Sequence, residues 1–177
     1  TYENLAKIKF EYDYVPPLDV LSVKNIDICA GHKTLADNIS FDVRRGAKIG
    51  IVGVNGIGKS SLLKIIQKKM PVTHGTIEWN KNIKISYFDQ ENSQLDFSKT
   101  VIDEIHDRRR GMTEQQVRSL LGLVKLTGEN VFKKVGVISG GERAKLCFAI
   151  MMLERGNVLI LDEPTNHLDI DAKEVLE

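Results

Sequence analysis

Nine residues, 53–61, read GVNGIGKSS. Their spacing is G-x-x-x-x-G-K-[ST], the pattern of a phosphate-binding loop. Glycines let backbone N–H groups curl around an anion without side-chain clashes. A helix opening just after them aims its positive end at the same point. Gly53, Asn55, Gly56, Gly58, Lys59, Ser60 and Ser61 are therefore the candidate phosphate ligands. Lys59 is expected to reach β- and γ-phosphates, and Ser60 to ligate Mg²⁺. A second constellation ends the apolar run 157–161 (NVLIL) in two carboxylates, Asp162 and Glu163. Carboxylates there sit at the carboxyl edge of a sheet, where ligands of α/β folds bind. Asp162 is expected to hold Mg²⁺ through water, and Glu163 to polarise an attacking water as general base. The third is Ser139-Gly140-Gly141-Glu142. Ser139 and Glu142 have the spacing of a capping box before an apolar helix. A capping box needs no double glycine, however, and Gly140 and Gly141 bare the backbone at a helix start, making a second anion site.

These residues need elements to hold them. The alternation in 20–28 (VLSVKNIDI) predicts a half-buried strand, and 39–43 (ISFDV) another. Residues 47–52 (AKIGIV) are short, apolar and β-rich, and predict a buried strand feeding the glycine loop. Residues 60–69 predict a helix stopped by Pro71. Strands are expected at 75–79, 83–88 and 157–161, and helical structure over 100–126, 139–153 and from 171. Leu120, Leu121, Leu123, Val124 and Leu126 should be core, as should the apolar run 146–153. Residues 1–17, ending in Pro16-Pro17, read as a linker or entering arm. Alternating strands and helices make the fold α/β.

Composition narrows the partners. The 177 residues carry a formal net charge of +1, so bulk charge gives no reason to expect nucleic acid or a membrane. The basic clusters Lys68-Lys69, Arg108-Arg109-Arg110 and Lys133-Lys134 read first as solvated helix ends or loops, with an anionic partner such as RNA as the alternative. The two cysteines, Cys29 and Cys147, lack metal-ligand spacing and read as buried small hydrophobes in a reducing compartment. No stretch approaches the roughly 18 apolar residues of a membrane span, and the first residues lack the apolar core of a signal peptide. A cytoplasmic protein is the expectation.

With the phosphate loop, Gln90 after a strand, ISGGE and LDEPTNHLD together, the sequence resembles an ABC-type ATPase domain over about residues 18–177. Glu142, where transporter domains more often carry glutamine, and Asn166-His167, where they more often read Ser-Ala, are similar to the ABC-F branch, the ATPases that act on ribosomes. The short segment from Gln90 to Ser139 is similar too. The opening KIKFEYDYVPP resembles the end of the linker before the second ATPase domain of a tandem ABC-F chain. The resemblance implies a P-loop NTPase core with an antiparallel β subdomain and a small helical subdomain at about 91–138. It implies ATP and Mg²⁺ as ligands, and a head-to-tail pair with a second such domain, either a sister domain or another copy. Ser139, Gly140 and Gly141 would then touch the γ-phosphate of the partner's ATP, Gln90 would join the Mg²⁺ and water shell, and Asp169 would couple the two sites. The parent would hydrolyse ATP and associate with the ribosome or its RNA. The alternatives are the nucleotide-binding subunit of a membrane transporter and a nucleotide-binding module without turnover. Two departures from the family stand out. Ala30 lies where an adenine-stacking aromatic is usual, and the sequence ends at Glu177, ahead of the strand that carries the family's switch histidine.

Overall fold

The computed structural model describes residues 9–89 and 93–163. The chain forms two compact units, one of Tyr14–Lys84 and one that joins the segment before Tyr14 to the segment from Ile85 onward.

In the first unit, β1 (Asp19–Ala30) is the centre of an antiparallel sheet, flanked by β2 (Lys33–Arg44) and β3 (Thr76–Trp79). Val20, Leu21, Val23, Ile26 and Ile28 of β1 are buried. That series does not keep a strict period of two, and the structure shows why. The β1–β2 register shifts between Val23 and Ile26, where Asn25 takes a left-handed φ of 50°. Such a bulge resets which side chains face inward, and asparagine is among the residues that tolerate it best. Asn25 is pinned there by its N–H donating to Ser40 Oγ at 2.8 Å and by Ser40 Oγ donating to Asn25 Oδ1 at 3.0 Å. Helix α1 (Lys59–Ile66) buries Leu62, Leu63, Ile65 and Ile66. Its last turn is tied to the sheet by Trp79 Nε1, which donates to Ile66 O at 2.7 Å.

The expected strand at 47–52 is not formed. The segment has no regular secondary structure, Val52 is 93% exposed, and among the described residues it pairs with no strand. Apolar, β-rich composition supplies only fitness for a sheet surface; the hydrogen bonds must come from neighbours distant in sequence.

In the second unit, β4 (Ile85–Phe88) and β5 (Val158–Leu161) run parallel, with Tyr87 opposite Ile160 and Phe88 opposite Leu161. β5 is half-buried rather than buried: Ile160 faces inward and Leu159 is 38% exposed. Helices α2 (Val101–Arg108) and α3 (Glu114–Leu123), a 3₁₀ turn (Gly128–Phe132) and α4 (Gly140–Glu154) complete the unit. The expected helical stretch 100–126 is thus two helices. Gly111 and a fresh cap at Thr113, whose capping box with Gln116 is fully formed, divide it. Leu121, Val124 and Leu126 are core as expected, whereas Leu123 is half exposed. The centre of α4 is buried all round, from Leu146 to Met151, and Phe148 stacks on Phe88 at 4.9 Å. Cys147 is buried there, whereas Cys29 is only half-buried, so the expectation holds for one of the two.

Arg108, Arg109 and Arg110 are exposed at the end of α2 as expected, and two arginines make specific ion pairs. Arg108 reaches back to the buried Glu104 at 2.7 Å and also donates to Gln94 O at 2.6 Å. Arg155, in the left-handed turn that ends α4, pairs with Asp13 at 2.6 Å and Glu11 at 3.0 Å, beside Phe10, which packs on the core. Among the described residues no helix is long and apolar enough to cross a membrane.

Candidate functional site

The glycine loop leads into α1 in the first unit. Gly56 and Gly58 have φ of 80° and 102°, a conformation that side chains resist. At Gly58 a Cβ would also lie 2.9 Å from Ile28 Cγ2 and 3.3 Å from Leu35 Cδ1. Glycine is therefore required there twice over, by backbone twist and by the close approach of the sheet. Gly58 is the N-cap of α1 and offers no side-chain cap. Each of the other three α-helices described begins under a side-chain oxygen, from Thr100, Thr113 and Ser139. A helix start without a side-chain cap is the kind that takes an external acceptor. Lys59 Nζ folds over the loop, donating to Gly53 O at 2.8 Å and Val54 O at 3.2 Å. Ser60 and Ser61 lie in the first turn, half-buried. The structure thus gathers Gly53, Asn55, Gly56, Gly58, Lys59, Ser60 and Ser61 in one loop and helix turn.

In the second unit, Ser139-Gly140-Gly141 opens α4. Both sides of the capping box are made: Glu142 N–H donates to Ser139 Oγ at 3.2 Å, and Ser139 N–H donates to Glu142 Oε2 at 2.8 Å. The Ser139 oxygen accepts from the helix, which leaves its own O–H proton to donate elsewhere. Ser139 is exposed, and the two glycines half-buried.

Asp162 follows β5. Its N–H continues the sheet by donating to Phe88 O at 3.1 Å, and only 5% of the residue is exposed. Tyr87 donates its phenolic O–H to Asp162 Oδ2 at 3.3 Å. Glu163 has a φ of 47°, a left-handed backbone that costs a non-glycine residue about 1–2 kcal/mol. Strain of this kind clusters at functional positions. Among the described residues, no three of His, Cys, Asp and Glu cluster to hold a metal by themselves. The Ser60 hydroxyl in the first unit and the Asp162 carboxylate in the second are each hard oxygen donors of the kind that Mg²⁺ takes. Gln90 and Asp169, and with them His167 and the helix expected from 171, lie outside the described residues, as does the side chain of Ala30.

Sequence reasoning passed over Tyr87, Asn130 and Arg143. Tyr87 meets Asp162 across two parallel strands, and Asn130 meets Glu142 across a loop. Arg143 donates to Ile138 O at 2.7 Å while lying 5.7 Å over the Phe97 ring. No local spacing announces any of the three.

Residues 36–166 match the family described as ABC transporter. The chain is 42% identical to YdiF of Bacillus subtilis over 99% of its own length and 27% of that protein's. It is 38% identical to ABC transporter F family member 5 of Arabidopsis thaliana, covering 97% of this chain and 25% of that protein. It is 39% identical to the energy-dependent translational throttle protein EttA of Escherichia coli (strain K12), covering 89% and 29%. The chain thus spans about a quarter to a third of the length of the curated relatives it matches. Its fold is similar to that of a metal-chelate type ABC transporter solved in an inward-facing conformation, with a TM-score of 0.71 at 24% identity, over 89% of this chain and 66% of that one.

Proposed function

The chain belongs to the ABC transporter family of ATP-binding domains, in its ABC-F branch, and on that premise we propose that it binds MgATP and forms half of an ATPase. The observation that carries this reading is the start of α1: a helix opened by glycines of positive φ, without a side-chain cap, beside a lysine whose ammonium lies over the same loop. Anionic oxygens would accept from the backbone amides of residues 56–61, and Lys59 would trade the Gly53 and Val54 carbonyls for β- and γ-phosphate oxygens. Ser60, Asp162 and Gln90 would hold Mg²⁺, directly or through water, and the ion would draw charge from the phosphates. Tyr87 donates to one oxygen of Asp162 and so helps to fix the carboxylate. Glu163 would accept a proton from a water as its oxygen attacks the γ-phosphorus and the bond to the β-phosphate oxygen breaks, releasing ADP.

Ser139, Gly140 and Gly141 would offer an O–H and helix-terminal N–H groups to the γ-phosphate of ATP held by a second ABC domain, with Asp169 joining the two sites. Pairing of this kind makes turnover a property of two domains. The ABC-F relatives, one of them named as a translational throttle, support a cytoplasmic protein that works at the ribosome. Calorimetric titration of MgATP into the chain and its Lys59→Ala variant tests the core of the reading. Binding by the wild type, weakened by about tenfold or more in the variant, is expected for a lost charge-assisted contact to phosphate; equal affinities refute it.

A further inference from the structure

The turn that opens α4 is held from outside by a chain of hydrogen bonds whose polarity is forced. Lys133 Nζ donates to Asn130 Oδ1 at 2.7 Å. An ammonium has no acceptor, so Asn130 must present its oxygen to Lys133 and its NH₂ to the other side. There, Asn130 Nδ2 donates to Glu142 Oε1 at 2.6 Å. The second oxygen, Oε2, accepts from the Ser139 N–H at 2.8 Å. Residue 142 thus faces a donor on each of its two terminal atoms. A carboxylate satisfies both; a carboxamide of the same shape has one oxygen and must turn its own NH₂ against one of the two donors. Asn130 sits in the 3₁₀ turn Gly128–Phe132 and is half-buried, so its grip on Glu142 is partly shielded from water.

We propose that Asn130 and Lys133 are positioning residues for the phosphate contact of Ser139, acting through Glu142, and that this is why position 142 carries a carboxylate. Asn130 fixes the carboxylate, the carboxylate fixes the Ser139 backbone, and the Glu142 N–H in turn orients the Ser139 oxygen, so the hydroxyl proton and the N–H groups of the double glycine point as one rigid set. The inference rests on the reading that this turn contacts ATP held by a second domain.

The test measures kcat and KM for MgATP, with the thermal midpoint, in the full-length protein. Ser139→Ala should lower kcat; if it does not, the underlying reading fails and this inference with it. Given that loss, Glu142→Gln and Asn130→Asp should each lower kcat about tenfold, as expected when a donor meets a donor or an acceptor an acceptor, with KM within about twofold because the nucleotide is bound by the glycine loop. The double variant Asn130→Asp/Glu142→Gln reverses the polarity of the link. Its new amide donates to its new carboxylate and still accepts the Ser139 N–H, and kcat should return to within about twofold of wild type. A single Glu142→Gln variant with wild-type kcat, a double variant no better than either single one, or a loss of thermal midpoint with kcat unchanged would each overturn the proposal.

Discussion

Cys147 lies in the fully buried stretch of α4, and burial pushes its thiol up from the ordinary 9.0 to about 11, against a smaller opposing effect of the Gln94 amide beside it. The folded state therefore keeps its proton where the unfolded chain has lost it. Its contribution to stability is whole below pH 9 and is lost as the pH climbs from 9 to 11, by about 2–3 kcal/mol at most. Urea unfolding at a series of pH values should show that slope, and Cys147→Ala should flatten it relative to wild type. The same shift makes the native thiol inert: iodoacetamide at pH 8 should label Cys29 and spare Cys147 until the protein is unfolded. At Glu104 the issue is charge. Its carboxylate is buried and answered by Arg108 at 2.7 Å. Arg108→Ala should cost about 3 kcal/mol by leaving that charge unpaired, measured by denaturant unfolding, and the double variant Glu104→Leu/Arg108→Leu should cost less than the single one.

Elements were legible in the sequence to the degree that their causes are local. The capping box at Ser139 and Glu142 is a spacing of three residues and forms as read. The box at Thr113 and Gln116 is equally local, and it places the break that separates α2 from α3. The buried stripe of α1 and the apolar run of α4 follow from composition alone. What the sequence hid depends on partners far along the chain. Residues 47–52 have the composition of a strand, but a strand exists only where a neighbour's hydrogen bonds meet it. The bulge at Asn25 needs Ser40 of the neighbouring strand. In the candidate site, the residues that touch phosphate in the proposed function were readable, because glycines and a lysine at fixed spacing are a local requirement. The residues that steady them, Tyr87 and Asn130, were not, because each acts across 75 or 12 positions of chain. Trp79 is an element-scale joint of the same kind. Trp79→Phe removes the bond to Ile66 O and should lower stability by about 1 kcal/mol, seen as a shifted denaturation midpoint at unchanged m-value.

For the whole molecule, the division of labour between Lys59 and Glu163 gives the decisive pair of variants. Glu163→Gln removes the proposed base but none of the proposed phosphate ligands, so MgATP should bind with affinity within about threefold of wild type while phosphate release by the full-length protein falls by about a hundredfold or more. Retained turnover would exclude Glu163 as the base. Nucleotide that is held but not cleaved should also prolong any complex built around it, so sedimentation velocity of the Glu163→Gln protein with MgATP should show a larger paired fraction than wild type. The clasp of Arg155 on Glu11 and Asp13 bears on how the arm ahead of the first unit is held. The arm from Lys9 to Asp13 is fastened by two ion pairs and the Phe10 contact to the turn where α4 gives way to β5. The mooring point lies between the helix that opens with Ser139 and the strand that leads to Asp162, so the arm is fastened to the segment that joins those two parts of the candidate site.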